Sequence, residues 1–227
     1  MAYTTTLADL RTELVDSSEL LSNFSTAQLN RLVNGGLAAL WDYVAKHDAA
    51  RLPLSNGNVS VVSGTESYSL PATTLRVVAV SVTDSSGANG FRELGRFNFR
   101  EKYGLSITDA SDKRASRYDV WGSNIYFSPT PTWTETVKVD FIAHFAELAT
   151  DGATFETHND WTEFAILYAQ RKAAIRQEED ISGITAALND AKERIKDGAR
   201  IDVAHPIQRQ DTVATPWPYG ARRRRES

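Results

Sequence analysis

"STAQLNRLVNGGLAALWDYVAKHDAARLPLSNGNVSVVSG", residues 25–64, changes its hydrophobic period part-way along. Up to Val44 the apolar residues Leu29, Leu32, Val33, Leu37, Leu40, Trp41 and Val44 recur at helical spacing and form one stripe. Ser25, with Gln28 three residues on, is a capping box that starts this helix. Beyond Arg51 the pattern becomes strand-like, rich in Val and punctuated by Gly, Asn and Ser. The stretch therefore joins a helix to a β region, which sets the class as α+β. Gly35 and Gly36 interrupt the stripe. Glycine in a helix costs about 1 kcal/mol relative to alanine, so the pair requires close approach of another backbone, or else a kink.

On the N-terminal side, Leu7, Leu10, Leu14 and Val15 predict a short first helix with Thr6 as its start signal. On the C-terminal side, "NVSVVSG", "ESYSLP", "LRVVAVSVTD", "RYDVWG", "NIYFSP" and "ETVKVDFIAHF" read as antiparallel strands. Trp121-Gly122-Ser123-Asn124 is a tight hairpin turn, Pro129-Thr130-Pro131 breaks the next connection, and "RFNFREKYG" is a short helix or helical turn. Helical spacing returns over 160–178, with Trp161, Phe164, Ala165, Tyr168, the stem of Lys172, and Ile175 on one face. A last helix carries Ile184, Ala187, Leu188, Ala191 and Ile195. The expected organisation is a helical bundle of two N-terminal and two C-terminal helices (residues 1–50 and 148–200). An antiparallel β domain (51–147) is inserted into it, and an extended C-terminal arm (201–227) follows.

The 227 residues include no cysteine, which removes disulfides, thiolate chemistry and thiolate zinc sites and suits a reducing compartment. No segment has a signal-peptide pattern or approaches the roughly 18 apolar residues of a membrane span, so the expectation is a soluble intracellular protein without membrane contact. His47, His144, His158 and His205 are scattered, with no metal-ligand spacing. Asp160 followed by Glu163 ahead of an apolar run reads as a helix start rather than a catalytic pair. Glu178, Glu179 and Asp180 read as a solvated turn in which Asp180 or Ser182 starts the last helix. Neither "NGG" at 34–36 nor "SSGANG" at 85–90 is a phosphate-binding loop. No cofactor, metal or catalytic residue is expected. A hydrolase built on Asp160 or Glu163 is the remotest alternative.

Two features need a partner. Ile166 and Leu167 widen the apolar stripe of the third helix, which fits either a central helix with neighbours on two sides or a subunit interface. The other is the tail. The chain has 25 basic and 29 acidic residues, and from Ile201 onward five Arg oppose Asp202, Asp211 and Glu226, leaving the tail at +2 and the body at −6. Pro206, Pro216 and Pro218 bar regular helix or strand there. Trp217 and Tyr219, stiffened by Pro216 and Pro218, are anchors for a groove, and Arg222, Arg223, Arg224 and Arg225 suit acidic side chains on a partner. A solubilising end and a nucleic-acid-binding end are the competing readings. The acidic body ranks nucleic acid below protein.

"YSLPATTLRVVAVSV", "YFSPTPTWTETVKVDFIAHFAEL" and "NDWTEFAILYAQRKAAIRQEED", in that order and followed by an amphipathic helix, resemble the head-to-tail adaptor (connector) proteins of tailed bacteriophages over residues 5–198. The resemblance implies a structural virion protein without cofactors. It would stand in the neck, assembled in the host cytoplasm as a ring, typically of twelve copies. The portal would lie above it and a tail, nozzle or stopper protein below, with DNA passing through the channel unheld. C-terminal extensions in that family commonly reach the portal, which makes the arm the expected portal contact. A nucleic-acid-binding accessory protein using the Arg run is the alternative.

Overall fold

Two short polar caps decide where the N-terminal helices begin. The computed structural model describes residues 3–83, 91–97, 117–132 and 134–204. Strand β1 (Tyr3–Thr6) runs directly into helix α1 (Leu7–Asp16). The Thr6 hydroxyl accepts from the Asp9 N–H at 3.1 Å while the Thr6 N–H donates to the Asp9 carboxylate at 3.2 Å. Helix α2 (Thr26–His47) begins in the same way, the Ser25 N–H donating to Gln28 at 2.8 Å and the Gln28 N–H to Ser25 at 3.4 Å. Each reciprocal pair satisfies two backbone or side-chain groups that a helix end otherwise leaves open.

Eight strands follow: β2 (Leu54–Val61), β3 (Ser67–Ser69), β4 (Thr74–Thr83), β5 (Phe91–Glu93), β6 (Gly95–Arg96), β7 (Arg117–Trp121), β8 (Asn124–Ser128) and β9 (Glu135–Ala143). They form two four-stranded sheets, ordered β2-β9-β4-β5 and β3-β8-β7-β6. Pairing is antiparallel except at β6, which lies parallel to β7. The expected hairpin at 121–124 is present, with Trp121 opposite Asn124 and Gly122 at φ +60°, the left-handed region that glycine enters freely. Most of "RFNFREKYG" and all of "SSGANG" lie outside the described residues.

The sheets close on one core made of Val59, Val61, Val80, Val82, Ile125, Phe127, Val137, Val139 and Phe141 among others. A second core joins the helices: α1, α2, α3 (Asn159–Arg176) and α4 (Ser182–Ala204). Strand β9 touches both cores, because successive side chains of a strand point to opposite faces. Phe141 enters the sheet core, and Ile142 enters the helical one. The junction is further held by the Trp41 indole donating to the Ala143 carbonyl at 2.8 Å and Arg76 donating to the Ala45 carbonyl at 2.6 Å.

Three details differ from expectation. A third sheet pairs β1 with β10 (Thr154–Thr157), Tyr3 opposite Thr157, and neither strand was legible beforehand. Helix α4 continues to Ala204, so the first four residues assigned to the arm are helical. Helix α3 starts at Asn159 with His158 in the capping position, so Asp160 lies inside the first turn rather than at the cap. The glycine pair resolves asymmetrically. A Cβ on Gly36 would press into the Ala165 carbonyl oxygen of α3 and lie 3.0 Å from its carbonyl carbon, whereas one on Gly35 meets nothing.

Candidate interaction surface

Each polar cluster that invited a chemical reading has a local structural partner. The Glu163 carboxylate meets Arg194 at 2.7 Å and ties α3 to α4, and the Tyr43 hydroxyl, donating to the Lys192 carbonyl at 2.9 Å, ties α2 to α4. Asp180 accepts from the Ser182 N–H at 2.9 Å and from its hydroxyl at 2.8 Å. These bonds favour the charged form and hold the Asp180 carboxyl below the usual range. Glu178 takes φ +59°, and the Glu179 N–H returns to the Ala174 carbonyl at 3.0 Å, the hydrogen-bond pattern of a left-handed helix stop. The acidic turn is thus a stop followed by a start. Among the described residues, no group of three or more His, Asp or Glu side chains is placed to hold a metal ion.

Helix α3 is central, packed by α1, α2 and α4. Ile166 is 5% exposed and belongs to the helical core, and Leu167 is partly buried against it. Ile166, one of the two expected subunit contacts, is thus covered by its own chain, and Leu167 retains partial access. The wide apolar stripe is explained by neighbours on several sides. Pro216, Trp217, Pro218, Tyr219 and Arg222 to Arg225 lie outside the described residues.

Periodicity did not reveal which apolar side chains remain outside. Leu54, Val62, Val78 and Trp121 are between 43% and 59% exposed, all on sheet strands or their ends, and Ile175 on α3 is 47% exposed. Trp121 stands at the tip of the β7–β8 hairpin. No simple signal marks the four sheet positions, which lie within or beside strands, and Ile175, expected on the packed face of α3 from its spacing, is instead exposed near the end of that helix.

The irregular segment after β9 is fastened to the helices. Asn34 donates to the Leu148 carbonyl at 3.1 Å and accepts the Leu148 N–H at 2.9 Å. Arg11 grips Asp151 with two nitrogens, at 2.7 and 3.2 Å, and Asn30 at 3.2 Å. This pairing holds the Asp151 carboxyl below its ordinary range and raises Arg11. Beside this segment a cleft of about 320 Å³ opens between α2, β10 and the start of α3, walled by Trp41, Pro53, Phe155 and Trp161. A second cleft of about 410 Å³ lies where Arg76, Arg96 and His144 approach Leu70 and Val120.

The SU10 adaptor protein family matches residues 1–218. The chain belongs to that family. It is a family of phage head–tail adaptors, so the adaptor resemblance read from the residues is correct. The match is longer than the 5–198 first recognised and takes in Pro216, Trp217 and Pro218. No curated protein matches the chain. As an SU10 adaptor the protein is a structural component of a phage particle that works with portal and tail components. Among the described residues, no helix is long and apolar enough to cross a membrane.

Proposed function

We propose that this adaptor assembles as a closed ring, of twelve copies in the commonest arrangement, beneath the portal, where it continues the DNA channel and receives the tail or stopper protein. The observation that carries the reading is the family match over nearly the whole chain. A contact repeated around an axis must close, and a symmetric portal supplies the template that closes it. The exposed apolar side chains of the sheets supply contact surface for neighbours, with Leu167 as a further candidate. The net charge of −6 over residues 1–200 suits a channel that lets DNA slide.

The arm is the proposed portal anchor. Trp217 and Tyr219, flanked by Pro216 and Pro218, seat in pockets, and Arg222 to Arg225 form charge-assisted hydrogen bonds to carboxylates. Arms arrayed on one ring act together, which raises avidity by roughly 10² to 10⁴ without new contacts. The test is attachment to portal-bearing heads. Removing residues 206–227, which spares every described element, should leave the thermal midpoint nearly unchanged and abolish stable attachment. Trp217→Ala should weaken attachment at all salt concentrations, and Ser at all four arginines mainly at low salt. Undiminished attachment by the truncated chain would remove the arm from this role. Salt-dependent DNA binding by the free chain would favour the nucleic-acid reading instead.

A further inference from the structure

We propose that the cleft walled by Trp41, Pro53, Phe155 and Trp161 is a binding site for the Pro216–Tyr219 segment of the same chain. The inference rests on reading 216–219 as a docking segment and adds a resting place for it in the free subunit. Three observations meet here. First, Trp41, Pro53, Phe155 and Trp161 make half of the lining, beside Arg51, Thr154, Glu156 and His158, and about 320 Å³ admits one large aromatic side chain. Grooves of this kind recognise proline-rich extended segments, whose conformation is largely set before binding.

Second, the site has a polar request to match. Trp161 is 3% exposed and its indole N–H has no acceptor among the described residues. A buried donor without a partner is uncommon and costly. An extended Pro-Trp-Pro segment has no internal hydrogen bonds, so its carbonyls are free to accept. Glu156, also lining the cleft, is exposed and of opposite charge to the arginines that follow Tyr219, and the cationic Arg51 of the lining is paired with Asp48 at 2.8 Å.

Third, the tether is short. Helix α4 runs beside one cleft residue, Arg51, since a Cβ on Gly198 would lie 3.4 Å from its guanidinium. The helix ends at Ala204, roughly 9 Å further along its axis at 1.5 Å per residue. The 13 residues from there to Trp217 span up to roughly 45 Å, ample to return. A short tether also gives an effective concentration on the order of millimolar, which favours the chain's own segment over one from a neighbour. The portal then competes with the cleft for the arm.

Photo-cross-linking of the full-length chain tests this. Trp217→p-benzoylphenylalanine is irradiated in dilute solution as a mixture of light and heavy-isotope protein. Cross-links to residues 41–53 or 153–161, within isotopically pure chains, are expected. Pro53→Asp, at the exposed rim, should reduce their yield by about tenfold, equivalent to about 1.4 kcal/mol. Trp161→Phe, checked for folding by circular dichroism, should reduce it as well. Mixed-isotope products, cross-links elsewhere, or none would overturn the proposal. Portal protein is added only afterwards. A cross-link that the portal fails to displace would count against the arm's portal role and leave the cleft assignment standing.

Discussion

The helical core and the sheet core solve the same problem in different ways. In the helices, closeness replaces area: Gly36 lets α2 approach the backbone of α3, and even the apolar girth of α3 around Ile166 is covered inside the chain. In the sheets, two facing layers bury one set of alternating side chains and leave Leu54, Val62, Val78 and Trp121 outside. The lesson is a division of labour. The helices cover most of their apolar surface within the chain, Ile175 excepted, whereas the sandwich leaves more of it exposed.

The largest effect that bears on this contrast should come from the sheet core. Phe127, 1% exposed, should cost about 3–5 kcal/mol when truncated to Ala. Amide exchange should rise in both four-stranded sheets and much less in α2 and α3. An equal rise everywhere would show that the two cores melt as one and would break the comparison. Next in size, Gly36→Ala should destabilise by about 2–3 kcal/mol because backbone, not a flexible side chain, must give way. Its neighbour should behave oppositely: Gly35→Ala, in open space, should stabilise by up to about 1 kcal/mol. Chemical denaturation of the two variants measures both signs.

Much of this frame could be read from sequence, for identifiable reasons. The boxes at Thr6 and Ser25 and the turn at Gly122 are local, so four consecutive residues contain the whole argument. The glycine pair was legible as either a close approach or a kink, but not which of the two held nor at which glycine, since Ala165 is far off in sequence. Strands β1 and β10 escaped because four residues apiece carry no usable period and each depends on a partner about 150 residues away. Asp160 looked like a cap because its spacing to Glu163 is right. The chain instead leaves β10 at His158, and Glu163 turns to Arg194. Nothing between Gly198 and Ala204 announces a stop, so the end of α4 was set too early. The exposure of Trp121 depends on what the fold leaves uncovered, which local pattern does not encode.

Smaller effects sharpen the contrast from the surface. Trp121→Ala should cost far less stability than Phe127→Ala while weakening assembly on the portal, as sedimentation with portal complexes would show. A comparable loss of stability instead would make Trp121 part of the fold rather than of an interface. The smallest effect concerns Arg11 and Asp151. Asp151 is held below its ordinary value in the folded chain, so its contribution is present above the unfolded carboxylate range and is lost as pH falls through the folded value. Asp151→Asn should therefore lower the midpoint slightly at neutral pH, where the contribution is present, and leave it nearly unchanged in acid, which flattens the acid limb of a midpoint-against-pH curve. A larger loss in acid than at neutral pH would contradict that sign.

The central claim is that this SU10 adaptor closes into a ring only on its portal. Native mass measurement of the full-length chain, alone and then mixed with purified portal, tests it most directly. The account predicts a monomer or weak oligomer alone, and with portal one discrete complex whose adaptor copies match the portal's symmetry. A stable closed ring formed without portal, or a mixture showing no bound adaptor, would contradict it.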